Sequence, residues 1–357
     1  MQYNFEYARK VRVGFIGCGG HAFRNVFPTF QYAPVELVAV CDLEAERAAH
    51  YARQFGAQRH YADHREMLAR EELDAVFIVT NCGADGRPLY PLLAADCLRA
   101  GCHAWIEKPP AASSEEIRQL VAVSEKTGKF VMVGLKKVFF PAIAKAKEIV
   151  DDAAFGRPTS LYCRYPQDLP PFDRRTDVFA MRGFLDHLVH PMSIIHHLLG
   201  PVETLWYRRT DLNGASVTLL SFANGAVGTL HLAAGQSGTS PLERLEVVGE
   251  GANVVVDNGV TLTYYRRGSR GSEGYGRQTA FLGDDGCAPL HWEPEFSLGQ
   301  LYNKGIFLLG YVQEVAYFCR CVLEGSPPQK AGLDDALALL KLYEAYQQPE
   351  GTIVRVH

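Results

Sequence analysis

The stretch Val11-Arg-Val-Gly-Phe-Ile-Gly17-Cys18-Gly19-Gly20-His21-Ala22 opens the chain with an apolar run that passes into glycines. Val11 to Ile16 predicts a buried strand, and the glycines predict a tight turn that leads into a helical segment. Gly17 permits the turn, and Gly19 has no side chain to keep a pyrophosphate away from the backbone. Ala22 stands where a third glycine often occurs and still permits close packing of helix on strand. The stretch therefore predicts a dinucleotide-binding turn.

A carboxylate follows the next apolar run. Glu36-Leu-Val-Ala-Val-Cys41 predicts a second strand, and Asp42 closes it, where it can accept a hydrogen bond from a ribose 2′-hydroxyl. Because a carboxylate repels a 2′-phosphate, Asp42 favours NAD over NADP. NADP stays open, since Arg47 softens this preference if it folds back over the ribose. On this segment alone, an ordinary strand–turn–helix connection, a flavin-binding domain and an S-adenosylmethionine-binding domain are the alternatives.

The bulk composition is that of a globular protein. The chain has 357 residues, of which 47% are hydrophobic and 21% charged, with a formal net charge of −4. The length suits two domains, and the lack of a basic cluster disfavours nucleic acid as a partner. No apolar run reaches the length of a membrane span and no signal-peptide core precedes Val11, so we expect a cytoplasmic protein that does not enter a membrane. Nine scattered cysteines favour reduced, buried thiols.

Residues 1–135 alternate apolar strands with helical segments, which predicts a parallel sheet covered by helices on both faces. Ligands on such sheets bind beyond the carboxyl ends of the strands, and Gly17, Asp42, Thr80 and Glu107 all fall at such ends. The candidate strands are 11–16, 36–41, 74–80, 103–106 and 130–134, and the candidate helices are 43–55, 63–71, 88–100 and 113–127.

Residues 136–357 show a different pattern, with helices followed by strands at hairpin spacing. Asn224-Gly225 and Asn258-Gly259 are typical of hairpin turns. We therefore predict an α/β dinucleotide-binding domain over 1–135 and an α+β domain with a mostly antiparallel sheet over 136–357, with a closing helix at 333–347. The segments 166–177 and 268–288 are predicted as loops that shape the substrate site.

Glu107-Lys108-Pro109 follows the candidate strand 103–106. A lysine at this edge of a cofactor-binding sheet points toward the nicotinamide and the substrate. The alternative is a surface lysine ahead of a proline turn.

A third motif, Asp186-His187-Leu188-Val-His190, lies in the helical segment 184–199. Asp186 and His190 are spaced i and i+4 and share one face of a helix. An imidazole beside a carboxylate exchanges a proton near neutral pH, as hydride removal from an alcohol requires. Histidines that only pack or cap are one alternative. A metal site is another, but His187 and His190 have no evident third ligand, so no metal is predicted.

Together these motifs resemble the glucose–fructose oxidoreductase/inositol dehydrogenase family, also called Gfo/Idh/MocA. The resemblance covers essentially the whole chain, and it also draws on Ala154-Phe-Gly156 and on segments 245–251 and 331–346. It implies a Rossmann domain and a second domain whose open sheet forms the interface of a homodimer or homotetramer. It further implies an NAD(P)-dependent dehydrogenase of a sugar, an inositol or a related polyol.

The resemblance also implies roles for individual residues. Lys108 hydrogen-bonds the reacting hydroxyl, His190 is the general acid/base, and Asp186 binds substrate and orients His190. The Lys108–Pro109 bond is expected to be cis. The implied cofactor-binding residues are Gly17, Cys18, Gly19, Gly20, His21, Ala22, Asp42, Thr80, Asn81, Glu107, Lys108 and Pro109, and the implied substrate-binding residues are Lys108, Arg182, Asp186, His187 and His190.

Several positions depart from the family pattern. Leu188 replaces a glycine, and Ser193 replaces an aspartate that commonly binds sugar hydroxyls. Tyr90 replaces a histidine, and Asn81-Cys82 replaces Pro-Asn. Two other activities known on this fold stay open. One is an NAD-dependent glycosidase that oxidises, eliminates and reduces within one turnover, and the other is a non-catalytic nucleotide-sensing regulator.

Overall fold

A computed structural model describes residues 2–267, 286, 288–294 and 304–356, and the chain forms two compact units. The first unit comprises Met1–Phe139 and Gly305–Lys341, and the second comprises Phe140–Lys304 and Leu342–His357. The first boundary lies four residues beyond the predicted one. The predicted second domain differs from the second unit, because residues 305–341 belong to the first.

A six-stranded parallel sheet forms the centre of the first unit. The apolar strands predicted from the sequence are present, and their side chains are almost all buried because both faces of the sheet are covered. The strands are β1 (Val11–Ile16), β2 (Val35–Cys41), β3 (Arg59–Tyr61), β4 (Ala75–Ile78), β5 (His103–Ile106) and β6 (Val131–Val133), in the order β3-β2-β1-β4-β5-β6. The short β3 was not predicted, since Arg59 and His60 are exposed and give it no apolar run.

Four α-helices connect these strands, close to their predicted bounds. They are α1 (Ala45–Phe55), α2 (His64–Arg70), α3 (Tyr90–Arg99) and α4 (Ser114–Thr127). The glycine turn after β1 leads instead into a π-helical turn, Ala22–Val26, and a 3-10 turn, Phe27–Gln31. Pro28 explains the irregularity, because it has no N–H to donate to the carbonyl of Arg24 in an α-helix.

The second unit contains a nine-stranded mixed sheet. Its strands are β7 (Ser160–Tyr165), β8 (Val202–Arg209), β9 (Ser216–Phe222), β10 (Val227–Leu232), β11 (Arg244–Val248), β12 (Asn253–Asp257), β13 (Thr261–Tyr265), β14 (Leu290–Trp292) and β15 (Val354–Arg355), in the order β14-β13-β12-β11-β7-β10-β9-β8-β15. Only β7 and β10 pair in parallel among these strands. The mostly antiparallel sheet is therefore confirmed, as are the hairpins β9–β10 and β12–β13.

Two helices of this unit flank β7 in the sequence. They are α5 (Pro141–Asp151) and α6 (Val178–Leu199). The longer helix, α6, begins six residues before the predicted start at 184. The Asp177 side chain accepts a hydrogen bond from the Phe179 amide at 2.9 Å and so caps its first turn.

Three helices complete the described chain, α7 (Lys304–Leu308), α8 (Tyr311–Glu324) and α9 (Leu333–Ala345). The helix α8 was not predicted. Its buried Phe318 packs edge-on against Phe77 of β4, with ring centroids 5.2 Å apart. This apolar face explains why residues 305–341 join the first unit.

None of the helices in the described ranges is long and apolar enough to cross a membrane. The same ranges contain no group of three or more His, Cys, Asp or Glu side chains arranged to hold a metal ion. The predicted loop 268–288 lies outside the described residues except for 286 and 288.

Candidate active site

The backbone geometry of the turn requires a glycine at position 17. Its φ is +99°, and its amide donates to the Cys41 carbonyl at 2.8 Å. A Cβ at this position would lie 1.9 Å from the Val79 carbonyl oxygen, so a side chain does not fit. An added Cβ on Gly19 or Gly20 would meet no atom within 4 Å. The turn therefore leaves open space over Gly19 and Gly20 at the carboxyl edge of the sheet, as a pyrophosphate requires.

Asp42 joins the ends of β1 and β2 through its carboxylate. The side chain is buried; Oδ2 accepts from the Cys18 amide at 2.8 Å, and Oδ1 accepts from the Glu44 amide at 2.9 Å. Burial alone would raise the pKa of Asp42, but hydrogen bonds from Arg47 and these two amides outweigh it and lower the pKa. The ionised Oδ2 keeps a second lone pair that suits an incoming hydroxyl.

Arg47 folds back over Asp42, but two carboxylates balance its charge. It donates to Asp42 Oδ1 at 2.6 Å and lies 2.8 Å from Glu44 Oε1. A 2′-phosphate would have to compete with both carboxylates for this guanidinium. The geometry therefore favours NAD over NADP.

We expect Asp42→Ala to reduce the preference for NADH over NADPH by about tenfold or more, because it removes a repulsive carboxylate and releases Arg47. Fluorescence titration of both cofactors measures the ratio of dissociation constants. Arg47→Ala is the control and should keep the preference for NADH. An unchanged ratio in Asp42→Ala would show that Asp42 does not discriminate at the ribose.

Glu107 connects the Glu-Lys-Pro motif to the glycine turn. It is 4% exposed, its Oε1 lies 2.8 Å from His21 Nε2, and its Oε2 accepts from the Lys108 amide at 2.9 Å. The Lys108–Pro109 peptide bond is cis, as the resemblance implies, and Lys108 is partly buried. The residues that follow β1 and β5 are thus linked by one histidine–carboxylate contact.

Thr80 brings an unpartnered hydroxyl to the same edge. Its Oγ1 is buried and has no hydrogen-bond partner within the part of the chain that the structure describes. Its carbonyl accepts from the Tyr90 hydroxyl at 2.9 Å, whereas the Asn81 side chain is exposed. A buried hydroxyl without a partner next to the glycine turn is what a polar ligand would satisfy. Together with the open space at Gly19, this fits NAD.

The face of α6 carries the predicted proton-transfer pair. Arg182, Asp186 and His190 follow one another at i, i+4 and i+8 and so share one side of the helix. Asp186 and His190 are partly buried, while Arg182 and His187 are exposed. Ser193 is buried and donates its hydroxyl to the His190 carbonyl at 2.9 Å, so it binds its own helix.

Two family models match this chain. The profile described as "Oxidoreductase family, NAD-binding Rossmann fold" matches residues 11–135, and that of the GFO/IDH/MocA C-terminal domain matches residues 143–255. The chain belongs to the Gfo/Idh/MocA family. It is an NAD-binding oxidoreductase with an N-terminal Rossmann domain, which confirms the predicted family, enzyme class and cofactor.

Individual relatives are distant in sequence. Myo-inositol 2-dehydrogenase of Thermotoga maritima is 22% identical over 95% of this chain and 96% of its own length. D-Apiose dehydrogenase of Paraburkholderia graminis is 28% identical over 58% of this chain and 54% of its own. The solved structure of levoglucosan dehydrogenase with NADH has a TM-score of 0.77 at 20% identity, covering 98% of this chain and 100% of that one. At such identity the structural likeness shows the fold alone.

Sequence reasoning missed Tyr165 in the second unit of this Gfo/Idh/MocA protein. Tyr165 ends β7, and its ring centroid lies 6.4 Å from that of His190. Burial raises the pKa of Tyr165, and the carboxylates of Glu243 and Asp186 raise it further, so the phenol stays protonated. The sequence signal that could have pointed to Tyr165 was its position at the end of a predicted strand.

The loop after β7 is fixed by one buried arginine. Arg175 donates to the Tyr207 hydroxyl and the Tyr346 carbonyl, and it pairs with Glu350 at 2.8 Å. A guanidinium buried with this many acceptors is satisfied and holds the chain near it. The loop predicted over 166–177 thus has a rigid anchor at its end.

The first unit holds a buried polar cluster that was also missed, formed by Lys136, Tyr311 and Glu314. Lys136 donates to the Tyr311 hydroxyl at 2.9 Å. Glu314 is completely buried, and neither of its carboxylate oxygens has a hydrogen-bond partner among the described residues. Burial strongly raises the pKa of Glu314 and the charge of Glu107 adds to this, while the charges of Lys136 and Lys330 oppose it. The cluster was not predicted because Tyr311 and Glu314 lie on α8, a helix that was not predicted.

Proposed function

We propose that this Gfo/Idh/MocA protein transfers a hydride between a nicotinamide cofactor and a secondary alcohol of a sugar, an inositol or a related polyol. The observation that carries the proposal is Lys108 at the carboxyl end of β5, in the same sheet that presents the Gly17 turn and Asp42. Relatives named as dehydrogenases of myo-inositol and D-apiose support this substrate class.

In the proposed reaction, residues of the chain transfer the hydroxyl proton and stabilise the negative charge on the reacting oxygen. When bound, NAD supplies the hydride acceptor at C4 of its nicotinamide. His190 takes the hydroxyl proton on oxidation and returns it on reduction, and Asp186 orients the imidazole and stabilises its protonated form. Lys108 donates to the reacting oxygen and stabilises the negative charge that develops there. Glu107 fixes the lysine backbone through the Lys108 amide.

Two alternatives remain on the same fold. An NAD-dependent glycosidase would hold its cofactor tightly and release no net NADH. A nucleotide-sensing regulator would bind NAD without turnover, and it has no need for the Lys108, Asp186 and His190 set.

An absorbance screen at 340 nm across sugars and polyols separates these functions. Net NADH formation with at least one alcohol is expected. Glycoside cleavage without net NADH would favour the glycosidase, and NAD binding without either reaction would favour the regulator.

We further propose a homodimer or homotetramer that associates through the second sheet. Val217 and Leu219 on β9 and Val227 on β10 are 42%, 50% and 56% exposed. Leu219 lies opposite Thr229 on β10 and Trp206 on β8, so these strands present one continuous face. An exposed apolar face of this kind is typical of a subunit interface. A cytoplasmic location belongs to the same proposal, since the eight cysteines in the described ranges carry reduced thiols, as is typical of a reducing compartment.

Leu219→Asp is expected to convert the oligomer into a folded monomer, because an isolated carboxylate would have to be desolvated at the interface. Sedimentation velocity gives the mass, and circular dichroism checks the fold. Leu212→Asp, at a residue 94% exposed in a loop, is the control and should leave the mass unchanged. A wild-type monomer at micromolar concentration would contradict the proposed interface.

A further inference from the structure

A cavity of about 550 Å³ lies in the first unit, alongside α8. Tyr317, Arg320 and Leu323 of that helix line it, and so do Tyr7 and Pro34, which precede β1 and β2 in the chain. A volume of this size is typical of sites that bind small organic molecules.

The cavity is separate from the candidate active site. Pro34 lies at the amino edge of the parallel sheet, where its carbonyl accepts from the Val11 amide at 2.8 Å. The Gly17 turn lies at the carboxyl edge, about 20 Å away, because the six residues of β1 rise by about 3.3 Å each. Among the described residues that line the cavity, none belongs to the predicted cofactor-binding or substrate-binding set.

Two cations line the cavity, and neither Lys330 nor Arg320 forms an ion pair with a described carboxylate. Lys330 Nζ lies 4.3 Å from the Phe139 ring centroid, and Arg320 Cζ lies 5.3 Å from that of Tyr317. Burial lowers the pKa of Lys330 and the charge of Arg320 lowers it further, against the weaker effect of Glu314. Since aromatic rings attract a cation less strongly than an anion does, an anion in the cavity would stabilise both charges.

The charge of the cavity wall indicates which anion fits. Arg320 and Lys330 are opposed by Glu324, so two cations against one carboxylate leave one net positive charge among the described lining residues. A single carboxylate balances that charge, whereas a phosphate dianion would exceed it. The wall therefore favours a monoanionic acid.

A buried amide and three aromatic rings supply the other contacts. Gln313 lines the cavity, and its Oε1 is buried without a hydrogen-bond partner in the part of the chain that the structure describes. An N–H or O–H group of a ligand would satisfy this oxygen. Tyr7, Phe139 and Tyr317 provide flat apolar walls, and the Tyr317 hydroxyl is fixed because it accepts from the Gln329 amide at 2.7 Å.

We propose that this cavity is a second ligand site, which binds a small aromatic carboxylate that also carries a hydrogen-bond donor. The carboxylate joins Lys330 and Arg320, the ring packs against the aromatic walls, and the donor reaches Gln313. The site does not depend on the proposed hydride transfer, because the residues that form it take no part in that reaction.

Indole-3-acetate and indole-3-acetamide test this proposal as a matched acid and neutral pair with the same ring and N–H donor. Each is titrated by calorimetry into the protein saturated with NADH. We expect the acid to bind with a dissociation constant below about 1 mM and about tenfold more tightly than the amide. Lys330→Met should remove this preference and leave NADH affinity unchanged, Lys330→Arg should keep part of it, and added salt should weaken only the acid.

Two further variants locate the bound acid. Ala316→Phe fills the cavity from α8 without removing a charge, so it should weaken both ligands by about tenfold or more, while circular dichroism shows the wild-type fold. Lys108→Ala should leave binding of the acid unchanged, because Lys108 does not line the cavity. The proposal is wrong if the acid binds no better than the amide, if Lys330→Met or Ala316→Phe has no effect, or if Lys108→Ala abolishes binding.

Discussion

Lys108→Ala and His190→Ala are each expected to lower kcat by about 10²- to 10⁴-fold while NAD binding is retained. In the first variant the developing alkoxide has no cation to stabilise it. In the second the hydroxyl proton has no acceptor, since His190 is the imidazole on the α6 face shared with Asp186. Initial rates of NADH formation measure the loss, and NADH fluorescence measures cofactor binding.

Two exposed residues of the same types serve as controls for this experiment. Lys126→Ala in the last turn of α4 and His60→Ala on β3 remove a lysine and a histidine far along the chain from the motifs, and full activity is expected. If Lys108→Ala and His190→Ala both turn over normally, the proposed mechanism is wrong. If both lose NAD binding as well, the residues would have a structural role instead of a chemical one.

The parts of this fold that could be predicted from sequence are those whose conformation is determined by residues close together in the chain. The continuous apolar strand Val11–Ile16, the glycine turn and the hairpin dipeptides each depend on the conformational preferences of a few neighbouring residues. In contrast, β3 is a short, exposed strand that forms only because it pairs with β2. The π-helical and 3-10 turns after Gly20 depend on one proline within an otherwise helical pattern.

The site could be predicted only where its residues follow strands or share a helical face. Glu107 and Lys108 were proposed because they directly follow β5, and Asp186 and His190 because of their i, i+4 spacing. Their partners come from remote segments: His21 contacts Glu107 from 86 positions away, and Tyr311 accepts from Lys136 across 175. Nothing in any of these segments alone indicates the contacts, since the first needs β1 and β5 in one sheet and the second needs α8 to pack against that sheet.

Gly17→Ala is expected to destabilise the first unit by about 3–5 kcal/mol. An alanine there must adopt a φ near +99°, which L side chains rarely do, and its methyl group must displace the Val79 carbonyl. That carbonyl belongs to the backbone just after β4, so it cannot turn aside as a side chain would. A thermal melt should show a Tm lower by about 10 °C.

Gly19→Ala separates the structural need for glycine from the functional one. Its added Cβ meets no protein atom within 4 Å, so the melting temperature should stay within about 1 °C of the wild type. If the open space above Gly19 receives the pyrophosphate, the same methyl group should weaken NADH binding by about tenfold or more. An unchanged Tm in the Gly17→Ala variant would mean that the Val79 carbonyl can move away from the added methyl group. Unchanged NADH affinity in Gly19→Ala would mean that the cofactor does not approach this backbone, although the rest of the turn is built to receive it.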